Sequence, residues 1–242
     1  MKEKYISYIG KCLHINNSIL VVGDLHLGYE ESLNNSGVFV SRAMFDEIIV
    51  DFDKVFDRLG EEGKNVEKVV LLGDVKHAFG ENLRQEWNDV LALFDYFLEK
   101  RKVGEIIVTR GNHDNYLKTI AGKRSVRVED YYIVDEYCFV HGDKEYGEMD
   151  GKGIKYWIMG HGHPAVRIGD GTKTEKYKCF LTGKYKSREV IVVPSFIEYN
   201  EGSDPRENDL GFPWDFDLNK FEVRVVGEDL KALSFGRLGK MK

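Results

Sequence analysis

The chain has 242 residues, 42% of them apolar and 31% charged, with a net charge of −6. That length suits one α/β domain or sandwich able to bury about 70% of its unfolded surface. The acidic balance excludes a strongly basic nucleic-acid footprint across the whole chain. No apolar run reaches the roughly 18 residues of a membrane span, and Met1 to Gly10 lacks the apolar core of a signal peptide, so a cytoplasmic protein is expected. Cys12, Cys138 and Cys179 are odd in number and widely spaced, which favours buried, reduced thiols over a disulfide or metal cluster.

The elements follow in chain order. Cys12–Ile15 and Ile19–Val22 are apolar runs around Asn16-Asn17, a hairpin signal because Asn tolerates positive φ. His14 lies in the first run, outside any motif, and reads as structural. Residues 28–40 form a loop that would wall one side of a site. Ser41 to Leu59 carries Met44, Ile48, Phe52, Phe56 and Leu59 on one stripe, which predicts a helix capped by Ser41 and ended by a left-handed Gly60. Val69 to Leu72 is a strand, Leu83 to Lys100 a second helix, and Ile106 to Val108 the next strand. This strand–helix alternation predicts parallel strands with right-handed crossovers. Strands then dominate, over Tyr131–Val134, Tyr137–Val140, Tyr156–Met159, Val190–Val193 and Phe221–Val226. A second, more antiparallel sheet is expected, within one domain spanning residues 1–242. Lys173 to Arg188 interleaves Lys176, Lys178, Lys184 and Lys186 with Tyr177 and Tyr185. It is a solvated hairpin whose lysines guard an edge, or a track for a phosphate backbone. Phe196 to Trp214 is polar, turn-rich and aromatic, and would form a rim, a lid or a dimer contact.

Six of the seven histidines fall in five short motifs. These are Asp24-Leu25-His26, Gly73-Asp74-Val75-Lys76-His77, Gly111-Asn112-His113-Asp114, His141-Gly142-Asp143 and His161-Gly162-His163. The first three directly follow predicted strands, where open α/β sheets bind ligands. Imidazole nitrogens and carboxylates bind divalent first-row metals, and a bridging carboxylate can hold two ions about 3.5–4 Å apart. In the Asp24-x-His26 and His161-x-His163 pairs, an extended backbone would point both side chains the same way. Glycines beside these residues would serve turns and let backbone approach the metals.

In this order the motifs resemble those of the calcineurin-like metallophosphoesterase superfamily, over about Ile19 to Ser195. The resemblance implies a four-layer αββα sandwich, with two mixed sheets face to face and helices outside, and a centre of two divalent ions. Asp24, His26, Asp74 and His163 would hold one ion. Asp74, Asn112, His141 and His161 would hold the other, with Asp74 bridging. Mn2+ is the ion the resemblance favours; Fe, Co2+, Ni2+ and Zn2+ suit the same donors. A metal-bridging hydroxide would attack phosphorus, His113 would donate the proton to the leaving oxygen, and Asp114 would orient or charge that imidazole. His77 is a substrate contact or a rim residue. Arg110 is a phosphate clamp, as in the protein-phosphatase branch, or a surface residue.

Val75-Lys76-His77 stands where that branch has Asp-Arg-Gly, which disfavours phosphoprotein monoesters. Together with Val193-Pro194-Ser195-Phe196 it is more similar to small prokaryotic phosphoesterases, including those associated with DNA ligases. A phosphodiesterase acting on a nucleotide or nucleic acid is therefore expected. The alternatives are a phosphomonoesterase or nucleotide pyrophosphohydrolase on the same centre, and more remotely a protein-binding scaffold like the superfamily's retromer subunit. The scaffold predicts eroded ligands, and here every ligand position is filled.

Overall fold

The computed structural model describes residues 5–80, 83–169 and 173–241; the signal-peptide expectation falls partly on residues 1–4, outside them. Strand β1 (Ile6–Ile9) pairs with β2 (Cys12–Ile15), and β2 with β3 (Ile19–Val22), both antiparallel. Asn16 and Asn17 join β2 to β3 with φ of 51° and 55°. That is the turn whose twist matches a hairpin, and it fixes the expected register.

Beyond β3 the chain crosses over. Helix α1 (Tyr29–Asn35) and helix α2 (Met44–Glu61) precede β4 (Lys68–Leu71). Helix α3 (Arg84–Asp95), extended by a π turn over Tyr96–Lys100, precedes β5 (Glu105–Thr109). Helix α4 (Leu117–Ala121) leads to β6 (Arg127–Glu129). The six strands lie in sequence order, and β3 through β6 are parallel. Alternation sorts their side chains. Leu20, Val22, Val69, Leu71, Ile106 and Val108 face α2 and α3, while Val21, Val70, Leu72 and Ile107 face the second sheet.

The first long helix starts differently from expectation. Ser41 caps nothing. Glu30 Oε1 instead accepts Ala43 N–H at 2.7 Å and Met44 N–H at 2.9 Å, and Glu31 Oε2 accepts Gln85 N–H at 2.8 Å. Two adjacent carboxylates of α1 thus cap α2 and α3, the ends where orphan N–H groups and the helix dipole favour negative charge. Gly60 stays helical; Gly63, with φ of 67°, takes the left-handed position.

The second sheet runs β14-β13-β11-β12-β9-β8-β7, with β10 paired to β11. In chain order these are β7 (Tyr131–Val134), β8 (Tyr137–Val140), β9 (Tyr156–Met159), β10 (Ala165–Gly169), β11 (Thr174–Tyr185), β12 (Arg188–Val192), β13 (Glu222–Val226) and β14 (Ala232–Arg237). Only β8–β9 and β9–β12 pair in parallel. Phe139, Ile158, Phe180 and Ile191 meet the first sheet, closing the core between the sheets. The outer face carries Trp157, Leu181 and Val190, covered by Leu210, Trp214 and Phe221. The αββα sandwich is therefore present, its fourth layer made of short 3-10 turns at Gly147–Asp150 and Leu218–Lys220 and the loop before the latter.

Lys173 to Arg188 is not an edge hairpin. It is mostly the long strand β11, paired to β10 over Thr174–Lys178, to β13 over Cys179–Thr182 and to β12 over Leu181–Tyr185. Nor do its lysines form one track. Lys178 is buried and donates to Ser195 O, Ser195 Oγ and Ile197 O at 2.5–3.0 Å. Lys184 and Lys186 are exposed near the far end, about 26 Å or more from Lys176 at ~3.3 Å per residue. The Phe196–Trp214 segment divides. Phe196 stacks on Phe52 at 4.2 Å in the helix-side core, and Trp214 packs on Trp157. The three cysteines are buried and free, as expected. No described helix is long and apolar enough to cross a membrane.

Candidate metal centre

Parallel pairing brings the five motifs together. The loops after β3, β4 and β5 carry Asp24 and His26, Asp74, and Asn112 and His113; those after β8 and β9 carry His141, and His161 and His163. All leave the carboxyl ends of neighbouring parallel strands at one edge of the sandwich. The first two loops zip together: His26 N–H donates to Asp74 O at 2.8 Å, Leu27 N–H to Val75 O at 2.8 Å and His77 N–H to Leu27 O at 2.9 Å.

The local backbone is not extended, contrary to the simple alternation argument. His26, Asp74, His161 and His163 have φ of 43°, 45°, 62° and 41°. Non-glycine residues rarely adopt this region, and such strain gathers at functional sites. Turn geometry, not strand alternation, aims these side chains. Two glycines leave room for the carboxylates. A Cβ on Gly111 would collide with Asp74 Oδ1, and one on Gly160 would stand 2.5 Å from Asp24 Oδ2.

The donor atoms form two groups. In one, His163 Nε2 lies 3.2 Å from Asp24 Oδ1 and 3.4 Å from His26 Nε2. In the other, His141 Nε2 lies 3.1 Å from both Asn112 Oδ1 and His161 Nδ1. Asp74 Oδ2 stands between them, 3.8 Å from His26 Nε2 and 3.5 Å from His141 Nε2. Atoms about 2.1 Å from a shared ion lie roughly 3–3.5 Å apart, so these spacings fit metal coordination. Tautomer chemistry agrees on one side. His141 Nδ1–H donates to Leu72 O at 2.7 Å, which leaves a lone pair on Nε2 facing the Asn112 oxygen. Two lone pairs at 3.1 Å repel unless a proton or cation lies between them. His161 N–H fixes Asp24, at 3.1 Å from Oδ2, and His113 N–H fixes Asp74 through Oδ1 at 2.9 Å, leaving Oδ2 for the centre. The donors present therefore fit two divalent cations.

Electrostatics follow from burial. Burial works to raise Asp24, yet His163, His141 and His26 outweigh it and hold the carboxyl far below its usual range. Asp74 moves up, because burial and the Asp24 charge prevail over His141. Burial pushes His26 well down and His77 to about 4, which keeps both imidazoles neutral and able to bind metal.

The expected catalytic pair separates. His113 Nδ1–H donates to His77 O at 2.6 Å. Asp114 does not orient that ring. Its buried carboxylate accepts Val75 N–H and Gly111 N–H, both at 2.9 Å, and ties the Asp74 and Asn112 loops together. Burial and the Asp74 charge raise Asp114 to about 6. His77 lines the cleft, its ring 5.5 Å from that of His113 and 4.8 Å from that of Tyr29. Arg110 turns outward to Asp130 at 2.5 Å and lines no part of the cleft.

The cleft, about 580 Å3, also exposes Tyr29 and Asn200, which the sequence did not single out, and Lys176 from the lysine-rich stretch. Asn200 Nδ2 lies 2.5 Å from His163 Nδ1, and Gly202 N–H fixes the amide's other end at 2.8 Å. No sequence signal marks Asn200. Tyr199 and Asn200 do place part of the Phe196–Trp214 segment on the rim, as anticipated. Beneath the Asp74 loop, buried Lys76 pairs with buried Glu86 at 3.4 Å.

Among solved structures, nuclease MPE of Pseudomonas putida aligns with a TM-score of 0.63 at 16% identity, covering 96% of this chain and 95% of that one. A single mutant of Vps29 from Entamoeba histolytica gives a TM-score of 0.38 at 11% identity, over 90% of this chain and 99% of that one. No curated protein matches the chain in sequence. The likeness to the nuclease is one of fold. The model of the calcineurin-like phosphoesterase family matches residues 18–226, a span that holds all five motifs, and the chain belongs to that family.

Proposed function

We propose that this protein, acting as one domain, is a phosphodiesterase with two divalent ions, Mn2+ being the favoured metal and nucleic acid or a nucleotide the favoured substrate. The observation that carries the reading is Asp74 Oδ2, standing 3.8 Å from His26 Nε2 and 3.5 Å from His141 Nε2, between two converging donor groups. Asp24, His26, Asp74 and His163 would hold one ion, and Asp74, Asn112, His141 and His161 the other. When bound, the ions supply an acidified water for attack on phosphorus and positive charge for the phosphoryl oxygens.

The chain's own residues complete the chemistry. The His77 carbonyl fixes the His113 ring through Nδ1, so the transferable proton is the one on Nε2, and His113 lines the cleft. Protonated there, His113 delivers it to the leaving oxygen. The diester preference rests on the cleft's cations. Lys176 is the one lysine or arginine among its described lining residues, and Arg110 is committed to Asp130. A monoester dianion calls for a stronger clamp than a diester monoanion. The fold shared with a nuclease supports a nucleic-acid substrate.

The test compares bis-p-nitrophenyl phosphate with p-nitrophenyl phosphate, using metal-stripped protein with and without Mn2+. Mn2+-dependent cleavage favouring the diester is expected. Preference for the monoester overturns the substrate reading, and no cleavage with any divalent ion overturns the enzyme reading for simple esters.

A further inference from the structure

The loop from Lys76 to Phe79 is pinned. His77 and Ala78 N–H groups donate to Glu86 Oε1 at 2.9 and 2.7 Å, Lys76 Nζ binds Ala78 O, and Asn115 Nδ2 donates to Phe79 O at 3.1 Å. On this anchored backbone the Phe79 side chain points outward and is 58% exposed. Its ring centroid lies 5.6 Å from that of His113, edge to face. Tyr116, next in the chain after the anchoring Asn115, is 62% exposed and held at a left-handed φ of 67°. Core packing explains neither ring.

We infer that Phe79 is a stacking subsite for the nucleobase of the nucleoside that leaves with the oxygen His113 protonates, a placement that rests on the phosphodiesterase reading above. The geometry runs outward from the scissile phosphate. Phosphorus sits over the Asp74 donors and its leaving oxygen at His113 Nε2. The nucleoside on that oxygen must then extend away from the centre, along the side where Phe79 presents its ring. A flat π face suits a base of any sequence. A rigid platform also loses little freedom on binding, because its backbone is already fixed. Tyr116 extends the same apolar rim.

The experiment uses dinucleoside monophosphates with both bases, with either base removed, or with neither. They are cleaved by Mn2+-loaded wild type, Phe79→Ala, Phe79→Leu and Phe79→Trp. Phe79→Ala and Phe79→Leu should lose about tenfold in kcat/KM wherever the leaving nucleoside has its base, and under about twofold where it lacks one. Phe79→Trp should retain wild-type rates. A readout without turnover uses chelator-treated protein and a dinucleotide with 2-aminopurine on the leaving side. Its fluorescence should be quenched by wild type and Phe79→Trp, and not by Phe79→Ala. Phe39→Ala, which removes a 90% exposed ring, whereas Phe79 is the one set against His113, should change nothing. Equal losses with and without the base, or unchanged quenching by Phe79→Ala, overturn the subsite and leave the phosphodiesterase reading standing. A wild type that cleaves bis-p-nitrophenyl phosphate but no dinucleotide overturns the nucleic-acid substrate and the subsite together.

Discussion

Glu86 is where fold and site meet, and its removal should be felt in both. Its side chain and that of Lys76 are fully buried, 3.4 Å apart. Oε1 accepts His77 N–H at 2.9 Å and Ala78 N–H at 2.7 Å, and Oε2 accepts Leu83 N–H at 3.3 Å. Glu86→Gln keeps the shape and can keep both bonds on Oε1. It also sets an NH2 group toward the Lys76 ammonium and takes away a buried counter-charge. Breaking one partner of a buried pair costs about 3–5 kcal/mol. Because Lys76 also reaches Ala78 O, the lower figure applies here. At ~2–4 °C per kcal/mol for a chain of this size, Glu86→Gln should melt roughly 6–12 °C below wild type. Calorimetry and urea unfolding measure it. Adding Lys76→Met removes the ammonium that loses this counter-charge, so the double variant should recover part of the loss. A melting point within about 2 °C of wild type, or a double variant less stable than Glu86→Gln alone, would refute the reasoning.

Other consequences are equally open to measurement. His113→Ala should lower kcat about 10²–10⁴-fold while the bound-metal stoichiometry, read by elemental analysis, stays unchanged; a loss of metal in this variant would argue against the proton-donor role. Mn2+ at a hundred times its Kd should add about 2.7 kcal/mol, or roughly 5–11 °C, to the melting point of metal-free protein, and Asp74→Asn should abolish most of that gain. Gly111→Ala should weaken Mn2+ uptake in calorimetric titration, since its Cβ would collide with Asp74 Oδ1; wild-type affinity would show that the loop can yield. His14 donates through Nε2 to Asn65 O at 2.8 Å, and its buried Nδ1 has no partner. Burial lowers its pKa from 6.5, so below that pH the unfolded chain binds the extra proton first. The His14 contribution should therefore be constant above pH 6.5, decline as pH falls through the lowered value and level off below it. Urea unfolding of His14→Asn across this range should show a shallower decline than wild type.

Much of the frame was legible because local pattern and tertiary demand coincide. Met44, Ile48, Phe52 and Leu59 face one core as their spacing states, with Val55 in place of the expected Phe56 as the fully buried residue of that turn. The strands that escaped notice are those whose partners, not their composition, make them strands. Arg127–Glu129 is three residues long with none fully buried, placed by pairing to β5 and by Val128 against the core. Within Thr174–Tyr185, Lys176 and Lys178 are accommodated because their ammonium heads find acceptors elsewhere. The three that receive Lys178 come from a loop 17 to 19 positions later, which no window of sequence can associate with it. Caps failed for a related reason. Ser41 is a good cap by type, but Glu30 reaches Ala43 and Met44 from 13 and 14 residues upstream.

At the site, residue identity was legible and the means of convergence was not. Motif order names the donors, whereas strand alternation would require an extended backbone. His26, Asp74, His161 and His163 instead take left-handed φ values of 41–62°, a conformation that costs about 1–3 kcal/mol per non-glycine residue. Such a state persists only where neighbours dictate it. His26 N–H is held by Asp74 O at 2.8 Å, His161 N–H by the Asp24 carboxylate, and His163 O by Ser203 N–H at 2.8 Å. Each of these bonds crosses from one motif or segment to another, so the strain is set by the assembled loops together. A loop taken alone would relax toward extended backbone and turn its imidazole away. The donors converge because two parallel strand sets deliver the loops side by side, and that delivery is a property of the sheets rather than of any motif.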